Sequence, residues 1–197
     1  MRARRERSIL LANGLSLSRV PLAAALWIAP DVPAWTLSII AVAGVTDVLD
    51  GWVVRRARRE AWAGGDPGAY AAHVARGEVI DGLADKIFVA SAVLALLAVA
   101  HPPWWALGAL VARELLLVPA LSIYRFLPAA QRGKVDFTAG YAGKAATFFQ
   151  LAGLVAGFLG SALFVPAAVL AGALGALAAI LYVARAARAA RPAEPSA

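Results

Sequence analysis

Apolar residues in this chain run in long blocks separated by short polar breaks. The blocks extend from about Val20 to Ala29, Trp35 to Val54, Leu83 to Ala100, Trp104 to Ile123, Ala139 to Leu159 and Leu163 to Ala184. A helix of about 20 apolar residues crosses a bilayer, so the pattern predicts an all-α integral membrane protein with six transmembrane helices. The first block reaches that length by borrowing residues before Val20. Breaks at Pro30-Asp31-Val32-Pro33, His101-Pro102-Pro103 and Gly160-Ser161 carry no Lys or Arg. The other connections are basic: Arg55, Arg56, Arg58, Arg59 and Arg76 follow the second block, Arg125, Arg132, Lys134 and Lys144 flank the gap after the fourth, and Arg185, Arg188 and Arg191 follow the last. By the positive-inside rule this alternation places both termini and the two long loops in the cytoplasm, with any site at those helix ends facing the cytosol.

Composition agrees with the pattern. The 197 residues are 61% hydrophobic and 16% charged, with mean hydropathy +0.72, which excludes a soluble globular or disordered chain. No cysteine is present, and the two histidines, His73 and His101, stand too far apart for a zinc motif. They read as surface loop residues. The formal net charge of +7 sits in patches between apolar blocks, without the aromatic interleaving of a nucleic-acid surface, so no nucleic-acid partner is expected. The partners expected are membrane lipids.

The start of the chain has a basic flank, but Asn13, Ser16, Ser18 and Arg19 interrupt the apolar stretch next to it and no small-residue cleavage site is evident. Residues 8–18 are expected to lie as an amphipathic interfacial segment before the first span, with their flanking arginines against anionic lipid and Pro21 marking the bend. Residues 1–190 form one expected membrane domain, with 56–76 as an enlarged cytoplasmic loop and 191–197 as a disordered tail. No fixed-period repeat is present. Gly153, Gly157, Gly160, Gly172 and Gly175 read as close helix-packing positions, and Trp27, Trp35, Trp104 and Trp105 as interfacial anchors.

Four acids do not belong in apolar helices unless they pair or work, because each costs several kcal/mol to insert. Asp47 and Asp50, at i and i+3, share one helix face; Asp81 and Asp85, at i and i+4, share another at the start of the next apolar block. One loop joins the two helices, so both pairs lie at the same depth and can converge. Clustered hard oxygen ligands suit Mg²⁺, Mn²⁺ or Ca²⁺. Pairing with Arg55, Arg56 and Lys86 at a wet helix end is the plainer alternative. Gly51 beside Asp50 permits close ligand approach, and Arg55 one turn on can clasp a phosphate, which favours a metal and phosphate site.

Asp47-Val-Leu-Asp50-Gly51-Trp-Val-Val54-Arg55, a spacer, then Gly77-Glu-Val-Ile-Asp81-Gly-Leu-Ala-Asp85 resembles the CDP-alcohol phosphotransferase signature D-x-x-D-G-x-x-A-R … G-x-x-x-D-x-x-x-D. Asn13-Gly-Leu-Ser16-Leu-Ser-Arg19 resembles the family's N-x-x-T-x-x-R element. Gly143-Lys144-Ala-Ala-Thr147-Phe-Phe-Gln150 resembles a G-K-x-x-T-x-x-Q element of its phosphatidylglycerophosphate synthase branch. The chain departs from the signature at Val54 and Gly82, and its spacer of 21 residues, Arg56 to Arg76, is longer than the family's. The spacer is expected to turn at Gly64-Gly65-Asp66-Pro67-Gly68, with a short helix near 70–76, as a surface excursion or a lid over the nucleotide.

The resemblance implies six spans with cytoplasmic termini, a homodimer, and CDP-diacylglycerol as donor. It implies that Asp47, Asp50, Asp81 and Asp85 hold one or two Mg²⁺ or Mn²⁺ ions, with Asp85 as general base for the acceptor hydroxyl and CMP as coproduct. It assigns Asn13, Ser16, Gly51, Arg55 and Gly77 to the CDP moiety, polar capping being the alternative for Asn13 and Ser16. A small phosphorylated alcohol is the implied acceptor, held by Arg113, Arg125, Lys134 and Lys144. Arg113 alternatively forms an ion pair with Glu114, and Arg125 and Lys134 serve as topological anchors. The favoured acceptor is glycerol 3-phosphate, giving phosphatidylglycerophosphate. The rivals are a cardiolipin synthase using phosphatidylglycerol, an enzyme using an inositol phosphate, and a small ion- or proton-coupled transporter.

Overall fold

Proline and glycine punctuate the helices where the apolar pattern breaks. In the computed structural model, residue 11 and residues 14–63, 67–117 and 140–189 are described, with backbone alone at 54, 57–63, 67–80 and 186–189. Six helices are bounded there: α1 Arg19–Ala25, α2 Pro33–Ala63, α3 Pro67–Ala100, α4 Trp104–Leu110, α5 Tyr141–Phe158 and α6 Phe164–Ala189. Pro33 and Pro67 open their helices at the first position, where a missing N–H costs nothing. Helix α3 stops at His101, whose φ of 45° is left-handed, and Pro102 cannot continue the ladder. Helix α5 ends on Gly160 at φ +63°, with Ser161 N–H reaching back to Ala156 O at 2.8 Å. Ser161 Oγ then accepts the Leu163 N–H at 3.2 Å and starts α6.

Among the described residues, three helices are long and apolar enough to cross a membrane, through Pro33–Val53, Asp81–Ala100 and Phe164–Arg185. The protein is a multi-pass membrane protein. The expected fourth span is shorter in its described part: α4 ends at Leu110, the chain turns at Val111, and helix resumes over 112–117.

The spacer differs from its sequence expectation. Helix α2 continues to Ala63 and α3 begins at Pro67, so most of 56–76 is helix, and residues 64–66 of the expected turn lie outside the described residues. The Ala-, Arg- and Glu-rich run after Val54 has high helix propensity and needs no bilayer to stay wound. At 1.5 Å per residue, the 31 residues of α2 span about 46 Å, longer than the roughly 30 Å hydrocarbon core.

The chain divides into two compact units, Met1–His101 and Pro102–Ala197. In the first, α1 packs on α3 and α2, tied by Trp27 Nε1 to Ser91 Oγ (2.9 Å) and Ser91 Oγ to Ala23 O (2.8 Å). Trp35 Nε1 donates to Ala25 O at 2.9 Å and holds the C-terminal end of α1. Buried Leu26, Ile40, Ala84, Phe88, Ala92 and Leu96 fill the space between them, while Val42, Val45, Val48 and Leu94 face outward, as lipid-facing positions do.

In the second unit α6 packs along α5 and α4. A Cβ on Gly172 would lie 2.9 Å from Ala109 O, and one on Gly175 2.8 Å from Arg113 Cβ, so both glycines permit backbone-close packing. Gly153 likewise faces Leu110. Gly160, expected among these packing positions, is instead the helix terminator.

Candidate metal and phosphate site

The four acids do converge. Asp47 and Asp50 project from α2, and Asp81 and Asp85 from α3, onto one guanidinium, that of Arg19 at the first position of α1. Its NH2 donates to Asp47 Oδ1 at 3.0 Å and to Asp50 Oδ2; its NH1 donates to Asp81 Oδ1 at 2.8 Å and to Asp85 Oδ1. Arg19 is 1% exposed, and Asp50 is buried beside it. Asp47, Asp81 and Asp85 keep partly open side chains. The arrangement is a charged floor with an accessible acidic rim. Ser16, also buried, donates to Asp50 Oδ2 at 3.2 Å.

The described ion pairs of the four acids therefore run to Arg19 and not to Arg55, Arg56 or Lys86. Arg19 was legible only as the last residue of the N-x-x-T-x-x-R resemblance and as the charge opening the first apolar block. Sequence reasoning left it outside the site, because the partner of a long side chain is set by how helices cross.

Arg55, exposed on α2, lies back over Gly51: a Cβ there would meet its NH1 at 3.0 Å. The absent side chain at Gly51 thus makes room for Arg55 one turn on. Arg56 stacks over the Trp52 ring at 5.5 Å from the centroid. Asn13, Arg125 and Lys134 lie outside the described residues, as do the surroundings of Gly77 within α3.

The second unit holds the remaining acceptor candidates. Arg113 forms the ion pair read as its alternative, NH2 to Glu114 Oε1 at 3.0 Å, and its NH1 donates to Gly143 O at 3.0 Å and Thr147 Oγ1 at 2.5 Å. Gln150, buried, donates to Glu114 Oε2 at 3.0 Å and Leu110 O at 3.1 Å. Arg113 thus braces its own unit. Lys144 is exposed, its Nζ 6.0 Å from the centre of the Tyr141 ring.

One carboxylate oxygen from each of Asp47, Asp50 and Asp81 lies within 4.8 Å of the others. At such separations two negative charges repel by about 3.5 kcal/mol or more at an effective dielectric near 20. Four carboxylates against one guanidinium leave excess negative charge on hard oxygen donors, and a divalent Mg²⁺ or Mn²⁺ fits that set. Asp85 bonds the same guanidinium but stands outside the three-carboxylate group.

Fold and site together define a multi-pass membrane protein with a cluster of acidic side chains on paired helices. The sequence profile described as CDP-alcohol phosphatidyltransferase matches residues 70–185, more than half of the chain. The chain belongs to the CDP-alcohol phosphatidyltransferase family, whose enzymes use divalent metals.

Among curated proteins it is 29% identical over 157 residues to a cardiolipin synthase (CMP-forming) of Streptomyces coelicolor, covering 75% of this chain and 64% of that one. It is 30% identical over 129 residues to a probable cardiolipin synthase (CMP-forming) of Drosophila melanogaster, covering 64% and 36%. The chain therefore spans less than two thirds of the length of either relative. No solved structure matches it.

These two relatives are named as a cardiolipin synthase and a probable cardiolipin synthase, not as enzymes of the phosphatidylglycerophosphate synthase branch that the Gly143–Gln150 element resembles. Gly143, Thr147 and Gln150 are occupied in bracing Arg113 and Glu114, so their spacing reports packing as much as acceptor choice.

Proposed function

We propose that this protein transfers the phosphatidyl group of CDP-diacylglycerol to a hydroxyl of phosphatidylglycerol, giving cardiolipin and CMP. The observation that carries the transfer chemistry is the meeting of Asp47, Asp50, Asp81 and Asp85 around Arg19 in a family that uses divalent metals. The choice of acceptor is supported by the two relatives named as CMP-forming cardiolipin synthases.

Asp47, Asp50 and Asp81 hold one or two Mg²⁺ or Mn²⁺ ions, which supply neutralising charge beside the diphosphate of the donor. Arg55, lying over Gly51, grips a donor phosphate, and Gly51 and Gly77 let the CDP moiety approach the backbone. Asp85 takes the proton of the acceptor hydroxyl. The hydroxyl oxygen forms a bond to the β-phosphorus as the bond from that phosphorus to the CMP oxygen breaks. The cytoplasm-facing orientation and a homodimer complete the reading, supported by the basic loops and by the family.

The test is metal-dependent CMP release from CDP-diacylglycerol by purified protein, with phosphatidylglycerol, glycerol 3-phosphate and inositol phosphate offered separately. Turnover with phosphatidylglycerol, lost in chelator and in Asp85→Asn, is the expected result. Turnover with glycerol 3-phosphate alone returns the protein to the phosphatidylglycerophosphate synthase branch. Absence of CMP release with every acceptor sinks the transferase reading and brings the ion- or proton-pathway reading forward.

A further inference from the structure

We propose that Arg19 is the resident counter-ion of the acidic site, competing with the divalent ion for the same carboxylate oxygens and so setting the affinity for metal. The inference rests on the metal site of the proposed transferase and concerns a residue given no part in that reaction.

Three observations carry it. One guanidinium reaches all four acids, its NH1 serving Asp81 and Asp85 and its NH2 serving Asp47 and Asp50. It therefore lies among the oxygens that a cation would use. Asp47 Oδ1, Asp50 Oδ2 and Asp81 Oδ1 all accept from it, and these three residues make up the group whose ligand atoms lie within 4.8 Å of one another. Finally, Arg19 is 1% exposed, yet its Nε has no hydrogen-bond partner among the described residues. A buried donor without an acceptor is a cost that native structures seldom leave standing, so this guanidinium has a donor to spare for a further acceptor.

The electrostatics explain why an arginine stands there. Without a cation the four carboxylates repel one another, and α2 and α3 are held together at this point by the charge of Arg19. Its planar fork suits two pairs of acids on facing helices better than a lysine point charge. When a divalent ion binds, the guanidinium gives up carboxylate oxygens to it. Metal affinity is then the difference between two cations' hold on one site, weaker than the acids alone would give. The donors released from NH1 and NH2, together with the unpaired Nε, are left for the anion that arrives with the metal.

Mn²⁺ binding by the purified full chain in detergent tests this, read by loss of the free-ion electron paramagnetic resonance signal, with thermal unfolding in chelator measured in parallel. Arg19→Gln is expected to bind Mn²⁺ about tenfold more tightly than wild type, or better, since it removes a positive charge from contact with the ion's ligands. In chelator it is expected to unfold at a lower temperature than wild type, and saturating Mn²⁺ is expected to close the gap.

Should Arg19→Gln fail to accumulate, Arg19→Gln combined with Asp85→Asn, which removes one charge of each sign, is compared with Asp85→Asn alone. The double variant is expected to bind Mn²⁺ more tightly. Equal or weaker Mn²⁺ affinity on removing Arg19, in either comparison, overturns the proposal. If neither wild type nor the Arg19 variants bind Mn²⁺, the metal site itself fails. If they bind it with unaltered affinity while CMP release stays metal-dependent, only the competition fails.

Discussion

The hydroxyl of Ser16 donates to Asp50 Oδ2 at 3.2 Å across 34 positions of the chain, and both side chains are buried. Asp50 is the most enclosed of the four acids. Ser16 therefore aligns a carboxylate that solvent cannot orient. A single buried hydrogen bond to a charged group contributes about 1.5–3 kcal/mol. Ser16→Ala is expected to raise the Mg²⁺ concentration needed for half-maximal CMP release by about tenfold, with a smaller loss of maximal rate. A metal titration of initial rates checks this; an unchanged midpoint with a raised KM for CDP-diacylglycerol would return Ser16 to the donor-binding role that the family resemblance assigns.

The grouping of Asp47, Asp50 and Asp81, with Asp85 outside it, separates two kinds of loss. Asn at any of the three is expected to weaken Mn²⁺ binding and abolish turnover together. Asp85→Asn is expected to retain Mn²⁺ binding while losing about 10²–10⁴-fold in rate, the range for removal of a general base. Parallel Mn²⁺ titrations and single-turnover rates distinguish the cases. A collapse of metal binding in Asp85→Asn would make Asp85 a ligand first.

Gly51→Ala places a methyl 3.0 Å from Arg55 NH1. The obstacle is the far end of a flexible side chain, so the helix accommodates it, and replacing a helical glycine stabilises by about 0.5–1 kcal/mol. The melting temperature is expected to hold or rise. Displacing Arg55 weakens a charge-assisted phosphate contact, so KM for CDP-diacylglycerol is expected to rise about three- to tenfold. Steady-state kinetics at saturating metal, beside Arg55→Ala, tests whether both variants act on the same contact.

In the second unit, Gly175→Ala drives a methyl to 2.8 Å from Arg113 Cβ and 3.2 Å from its backbone nitrogen. The backbone has little freedom to yield, and overpacking of this kind costs about 1–3 kcal/mol. Gln150→Leu strips the amide donor from part-buried Glu114 Oε2 and from buried Leu110 O, at a cost of about 1–3 kcal/mol. Both are expected to lower the unfolding temperature in detergent with metal affinity unchanged. A shift in Mn²⁺ affinity in either would overturn the view of this network as a brace.

The sequence by itself determined that this is a membrane protein, where most helices begin, and that four acids lie in pairs on two helix faces. These are local properties: apolar run length, the 3.6-residue period, and the refusal of proline to donate within a helix. It also carried the family resemblance, because Asp47, Asp50, Asp81 and Asp85 and their glycines lie in two short stretches.

Only the tertiary structure decided what those acids hold. Arg19 reaches Asp47 and Asp50 from 28 and 31 positions away and Asp81 and Asp85 from 62 and 66, separations that no periodicity encodes. The winding of 56–63 into α2 and of 67–76 into α3, and the binding of Gln150 to Glu114, were likewise hidden. Whether a helix runs on past its span depends on what its end meets, and which donor satisfies a buried carboxylate depends on which helices cross beside it. The sequence supplies the charges; the packing of helices decides which of them meet out of reach of water.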